Sequence, residues 1–290
     1  MNKTLFIFIY FLLILISSAV YGQGNITAFD ENWAMNLFIN YNSCSFENSL
    51  DSMKYSGEKP WQLGLGIRYK NISAEILAPI LLSGQRKNWC FDSKMDFYYD
   101  KIYYEANFTH FPNLILQTGN EQNKLDIYSS AIMATFIQNN ENHSLSSIIK
   151  LDKKQEASSG SLLYGFGVFY SSLYSTAKTI DMYSNRQHYI YFGPSIGYSY
   201  TFVFRNNMFL NLNCVAFANP AINMNTGKLL FIPCVEPKII LGSHSAKWSI
   251  NLNMMNNSAF IIRNEKSIDP LVLVNVMIIF SKRFSVYLYK

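Results

Sequence analysis

Residues 158–175, SSGSLLYGFGVFYSSLYS, and residues 186–204, RQHYIYFGPSIGYSYTFVF, decide the fold. In the first, Leu162, Tyr164, Phe166, Val168, Tyr170 and Tyr174 share one parity. In the second, Ile190, Phe192, Ile196, Tyr198, Tyr200, Phe202 and Phe204 do the same. Successive side chains of a strand point to opposite faces. Each segment therefore has an apolar, aromatic face, and the other face reads as small and polar. A soluble sandwich also alternates. Here the aromatics lie on one side and Gly165, Gly167, Gly193, Ser195 and Gly197 on the other. That chemistry suits a membrane barrel, with lipid outside and a wet or loosely filled interior.

The rest of the chain is consistent with export. Lys3 precedes an unbroken apolar run from Leu5 to Ile16, and Val20-Tyr21-Gly22 closes it with small residues. This is the pattern of a secretory signal peptide. Its core is shorter than the roughly 20 residues a spanning helix needs. The expected division is a signal peptide over 1–22 and an outer-membrane β-barrel domain over 23–290. The composition is 49% hydrophobic, 16% aromatic and 15% charged. A soluble domain usually carries about 25% charged residues. A formal net charge of +5 is scattered, with no basic stripe, so nucleic acid is excluded as a partner. The expected surroundings are outer-membrane lipid and, during assembly, the barrel-assembly machinery.

Outward from the opening stretch, alternation places about twelve antiparallel strands. Trp33 to Tyr41 starts the series. In WQLGLGIRYK, Trp61, Leu63, Leu65, Ile67 and Tyr69 face lipid, while Gln62, Gly64, Gly66, Arg68 and Lys70 face inward. A two-residue turn at Asn71-Ile72 predicts that Arg68 sits opposite Glu75 as a lumenal ion pair. Lys94 to Phe108 reads as one long strand whose parity requires a bulge near Asp100. Ser144 to Leu151 reads as a short strand between two turns, 138–143 and 152–159. Asn211 and Asn213, then Asn251 and Asn253, mark inward faces of two later strands. Pro194 lies inside a strand, where it removes a ladder hydrogen bond. Connections 42–60, 81–93, 138–143, 175–185, 219–228 and 256–269 are expected outside the cell. The generally shorter ones, with 109–124 as the exception, are expected on the periplasmic side.

No constellation commits the chain to chemistry. His110, His143, His188 and His244 are the only histidines, and neither His143-Ser144 nor His188 near Ser184 comes with an orienting group. Asp96, Asp100, Glu105 and Asp126 fall on neighbouring strands, where pairing with Arg68, Lys70 and Lys101 is expected. The glycines are not a phosphate loop, since no helix follows them. No catalytic residue, cofactor or metal site is assigned, and the chain is expected not to be an enzyme. Among the four cysteines, Cys44 and Cys90 fall in the first two outer connections and are expected to form a disulfide staple. Cys214 and Cys234 are expected side by side, facing lipid.

The stretches KPWQLGLGIRYKNIS, FYYDKIYYEANF, MATFIQNNENHSLSS, SSGSLLYGFGVFYSS, RQHYIYFGPSIGYSY and the terminal FSKRF together span Lys59 to Phe284. In these the sequence resembles a family of uncharacterised outer-membrane proteins of Gram-negative bacteria, domain of unknown function 4421. The resemblance implies a β-barrel in the outer membrane and carries no activity with it. Three functions compete. A pore or transport-type barrel with a polar lumen leads. A structural or adhesive barrel that binds partners through its outer loops is second, and an envelope lipid-modifying enzyme is third.

Overall fold

A computed structural model describes residues 26–48, 53–56, 61–79, 90–116, 124–149, 151–175, 186–264 and 267–285. The expected signal peptide lies outside the described residues. In chain order the strands are β1 (Ile26–Ala28), β2 (Trp33–Asn48), β3 (Met53–Ser56), β4 (Trp61–Tyr69), β5 (Ile72–Pro79) and β6 (Phe91–Tyr99). Then come β7 (Ile102–Leu116), β8 (Lys124–Ile137), a helix α1 (Leu145–Ile149), β9 (Lys153–Gln155), β10 (Ser159–Ser175) and β11 (Gln187–Val203). The chain ends with β12 (Met208–Phe217), β13 (Pro220–Asn223), β14 (Leu229–Phe231), β15 (Cys234–His244), β16 (Trp248–Asn264) and β17 (Ser267–Phe284).

Twelve of these close an antiparallel barrel, in the order β2, β4, β5, β6, β7, β8, β10, β11, β12, β15, β16, β17. The seam is β17 against β2, with Phe284 opposite Trp33. Closure leaves no sheet edge, as a span through hydrocarbon demands. β4 shows the alternation plainly: Trp61, Leu63, Leu65, Ile67 and Tyr69 are exposed, and Gln62, Gly64, Gly66 and Arg68 are buried. Leu65 and Ile132 are 62% and 68% exposed, which water would penalise and lipid rewards. Tilted aromatic pairs mark both margins of the belt, Trp33 with Tyr69 at one end and Tyr41 with Trp61 at the other. Eight residues separate Tyr69 from Trp61, about 26 Å along the strand. Strand tilt projects this to roughly 20 Å along the barrel axis, which lies within an apolar band of about 25 Å. The chain is an outer-membrane β-barrel.

The count of twelve survives two compensating changes. The predicted strand Lys94 to Phe108 is two strands, because Tyr99 pairs with Ile102 across a turn at Asp100-Lys101. Asp100 takes φ 51°, and reversal of the chain, not a bulge, accounts for the change of parity. The predicted strand Ser144 to Leu151 is instead α1 and its flank, within one long connection, 138–158. Short turns at 70–71, 100–101, 204–207 and 245–247 lie at the end that carries Trp33 and Phe284. This is the periplasmic end, and 138–158 is its long exception. Connection 109–124 ceases to be an anomaly, since β7 and β8 meet at the outer end.

The outer rim is built differently. β13 and β14 form a hairpin between β12 and β15 that fills the wall between β11 and β16. β11 pairs with β12 up to Ser195 and with β13 from Tyr191 onward. Pro194 falls in that hand-over, where neither partner strand needs its missing N–H. A Cβ on Gly193 would lie 2.0 Å from Ala218 O, so only glycine fits against the crossing chain.

Candidate functional site: the lumen

Inward-facing side chains divide the lumen into three levels. The first is a plug at the periplasmic end. Connection 138–158 turns into the barrel, and Leu145, Ser146, Ser147 and Ile148 of α1 are buried. Ile148 and Leu151 pack with Phe38, Phe209, Ile240 and Ile279 of the wall. Asn251 Nδ2 donates to Ile148 O at 3.1 Å, pinning α1 to β16. The chain leaves through β9, which pairs with β1. Phe29 N then donates to Asp152 O.

Arg283 locks this plug. It is 1% exposed, so its guanidinium must find partners inside. Nη1 donates to Leu151 O at 2.9 Å and to Ser249 Oγ at 2.8 Å. Nη2 donates to Trp248 O at 2.9 Å and also to Ser245 O, and Nε to Ala246 O at 3.2 Å. Its plane lies 3.6 Å from the Phe29 ring centre. One side chain thus ties the plug, the N-terminal segment and the β15–β16 turn together. Arg68 lies on the same level, 2% exposed. Glu31 and Asp152 are the acids acting on both arginines.

The predicted partner of Arg68 is therefore corrected. The turn is at Lys70-Asn71, with Lys70 at φ 50°, so Arg68 faces Ser73 and Glu75 faces Gly66. Both side chains point inward, but Glu75 is one level higher, opposite Lys94 on β6. His143, at the entry to the plug, is fully buried. Burial pushes its imidazole down to about 4, so the ring is neutral.

The second level is a charged bridge. Lys94 Nζ meets Glu105 Oε2 at 2.9 Å and Asp96 Oδ1 at 3.8 Å. Tyr103 OH donates to Glu105 Oε2 at 2.9 Å and is also paired with Asp96, and Ser73 Oγ donates to Asp96 Oδ2 at 2.6 Å. On β15, six places around the barrel, Lys238 Nζ meets Glu236 Oε2 at 3.6 Å. The two groups act on each other across the lumen, Lys238 on Glu105 and Lys94 on Glu236. Of the carboxylates expected to pair with Arg68, Lys70 and Lys101, Asp96 and Glu105 meet Lys94 instead.

Above the bridge is a cavity of about 190 Å³, and above that an apolar cluster. The cluster includes Phe46, Phe111, Leu114, Leu125, Ile127, Leu173 and Phe217. Gly165, Gly167, Gly193, Ser195, Gly197, Asn211, Asn213, Asn251 and Asn253 all lie on inward-facing positions. The inward face is not uniformly small, however. Leu163, Phe169, Leu173, Tyr189 and Tyr191 share it and are buried. A Cβ on Gly167 would lie 2.5 Å from the Phe169 ring, so this glycine leaves room for an aromatic side chain rather than a channel.

Cys44 is the twelfth residue of β2, not part of a loop, and Cys90 immediately precedes β6. Both are buried thiols, and Gln62 Nε2 donates toward Cys90 Sγ at 3.4 Å. Cys214 faces outward, but Cys234 is buried inside, because the register pairs Cys214 with Pro237 and Cys234 with Phe217. Among the histidines, His188 Nδ1 pairs with Tyr170 OH at 2.6 Å, and His110 stacks on Tyr128. A Ser–His pair the sequence reading missed is His244 Nδ1 with Ser249 Oγ at 2.9 Å. Ser249 is already engaged by Arg283, and His244 stacks on Phe209, so the pair belongs to the plug lock. Among the described residues no group of His, Cys, Asp or Glu has a metal-binding arrangement.

The family described as Domain of unknown function (DUF4421) matches residues 26–280. No curated protein matches the chain. Solved structures similar to it include the COG4313 outer membrane channel from Pseudomonas putida F1, at 8% identity and TM-score 0.41, covering 90% of this chain and 99% of that one. The outer membrane protease OmpT from Escherichia coli matches at 6% identity and TM-score 0.37, over 89% and 98%. The P. putida toluene transporter TodX matches at 6% identity and TM-score 0.30, over 94% and 93%.

Proposed function

Since the chain belongs to the DUF4421 family and is an outer-membrane barrel, we propose that it is a transport-type barrel held shut at rest by its own periplasmic connection. The observation that carries this reading is the insertion of α1 and Leu151 into the lumen, tied by Arg283. A barrel needing only to be filled could use wall side chains alone, as the outer half does. A connection that enters as a separate hydrogen-bonded unit can also leave as one. Liposome swelling in sugar solutions tests this. Full-length protein should give slow swelling. Replacing 144–156 with a short Gly-Ser linker should speed it while the barrel keeps its heat-modifiable migration. An intact, plug-free barrel that stays impermeable would overturn the reading.

A second reading rests on a different feature. The β10–β11 ladder runs for fifteen pairs, from Ser159 opposite Thr201 to Leu173 opposite Gln187. That is about 50 Å of strand, well beyond the apolar band. With the β13–β14 hairpin it forms a raised outer wall that suits partner binding. Loss of cell-surface adhesion on deleting 220–231, with solute uptake unchanged, would favour this reading.

A further inference from the structure

We infer that the central cavity receives a small organic cation with an apolar body, of the arylalkylammonium type. The inference rests on the transport reading and specifies its cargo. The cavity lining carries four carboxylates, Glu75, Asp92, Glu105 and Glu236, against two ammonium groups, Lys94 and Lys238. Asp96 stands directly behind, bonded to Ser73 and Tyr103. Lys94 is taken up by Glu105 and Asp96, and Lys238 by Glu236. Asp92 accepts from Asn42 Nδ2 at 3.1 Å, a neutral donor. The lining therefore carries more acidic than basic groups. Excess negative charge away from bulk water is costly, and either a proton or a cation that joins it relieves the cost.

The other side of the same cavity identifies what kind of cation. Phe169 and Tyr191 stack there, with ring centres 4.9 Å apart and planes 5° apart. Leu271, Leu273, Met255 and Met277 continue the apolar lining from β16 and β17. A hydrated inorganic ion has no use for this wall. An ammonium group attached to a ring places its charge against the carboxylates and its body against the aromatics, and aromatic faces attract cations as well. A buried water occupies roughly 10–15 Å³ on the same volume scale, so the cavity of about 190 Å³ admits a solute of about ten heavy atoms. Below it, the plug prevents onward passage.

Calorimetric titration of the full-length barrel in detergent tests the inference, using phenethylammonium, 2-phenylethanol, phenylacetate and methylammonium. Phenethylammonium should bind at least about tenfold more tightly than the neutral alcohol, and phenylacetate should not bind. Glu236→Gln should weaken the ammonium about tenfold while leaving heat-modifiable migration unchanged, and Phe169→Leu should weaken it relative to methylammonium. Equal affinity for alcohol and amine, tighter binding of phenylacetate, or no amine binding would each overturn the inference. So would methylammonium or potassium displacing the aromatic amine at equal concentration. Failure here leaves the swelling result of the plug-free barrel untouched. An amine-binding barrel that stays impermeable without its plug would instead retain the site and remove the transport reading.

Discussion

The two ends of the lumen are packed by different physics. At the periplasmic end, one long connection enters the barrel and is held by directional hydrogen bonds converging on Arg283. At the outer end, Phe46, Phe111, Leu125, Leu173 and Phe217 project from the wall itself and pack on each other. Apolar packing is spread over many contacts and yields gradually. A buried guanidinium with every partner in place is held firmly, and losing it leaves several carbonyls unsatisfied at once. On the proposed transport reading, the first arrangement is the one that switches and the second only softens.

Arg283→Ala should have the largest effect. Removing a buried charged hub typically costs about 3–5 kcal/mol, and here the loss falls on the plug. Limited proteolysis should cut within 144–156, which intact protein protects. Phe169→Ala at the other end should cost a similar ~3–5 kcal/mol in thermal unfolding while leaving the plug protected. If Phe169→Ala exposes the plug as readily as Arg283→Ala, the two ends are not independent.

Acid should distinguish the ends next. The buried imidazole of His143 is depressed to about 4, against about 6.5 when unfolded. Between these values the released segment takes up a proton that the buried ring refuses, so plug stability falls as pH falls through that window. At pH 5 the loss is about 2 kcal/mol. Protease sensitivity of 144–156 should rise between pH 7 and pH 5, and His143→Gln should flatten the change. The smallest effect belongs to the outer rim. We propose that Cys44 and Cys90, both buried in the same cluster of the outer half, are oxidised to a disulfide on export, passing two electrons to an exchanging disulfide. Alkylation of denatured, unreduced protein should then label two thiols; four would sink the staple.

Much of the barrel was legible because lipid and lumen impose a strict period of two. Trp61–Tyr69 reads correctly from alternation alone, whereas Lys70, expected inward, is an exposed turn residue. The inward aromatics were overlooked, although Phe169 and Tyr191 share parity with the glycines beside them. The turn at Asp100-Lys101 was hidden because it carries no glycine, and the non-glycine Asp100 takes a left-handed conformation. The plug was hidden for another reason. Leu145, Ile148 and Ile149 have helical spacing, but five residues are too short for a periodic signal. Its lock left one trace, a charged Arg283 on the inward parity of an apolar terminal strand. The ion pair of Arg68 depended on the placement of one turn, and a shift of one residue in that turn moved its cross-strand partner from Glu75 to Ser73.

On the proposed reading, connection 138–158 closes the barrel through Arg283. Single-channel recording in planar bilayers tests it most directly, with native protein and Arg283→Ala measured side by side. The native barrel should be silent or show rare, brief openings, and the variant should show long-lived openings of uniform size. Steady conductance from the native barrel, or silence from a folded Arg283→Ala barrel, would contradict the account.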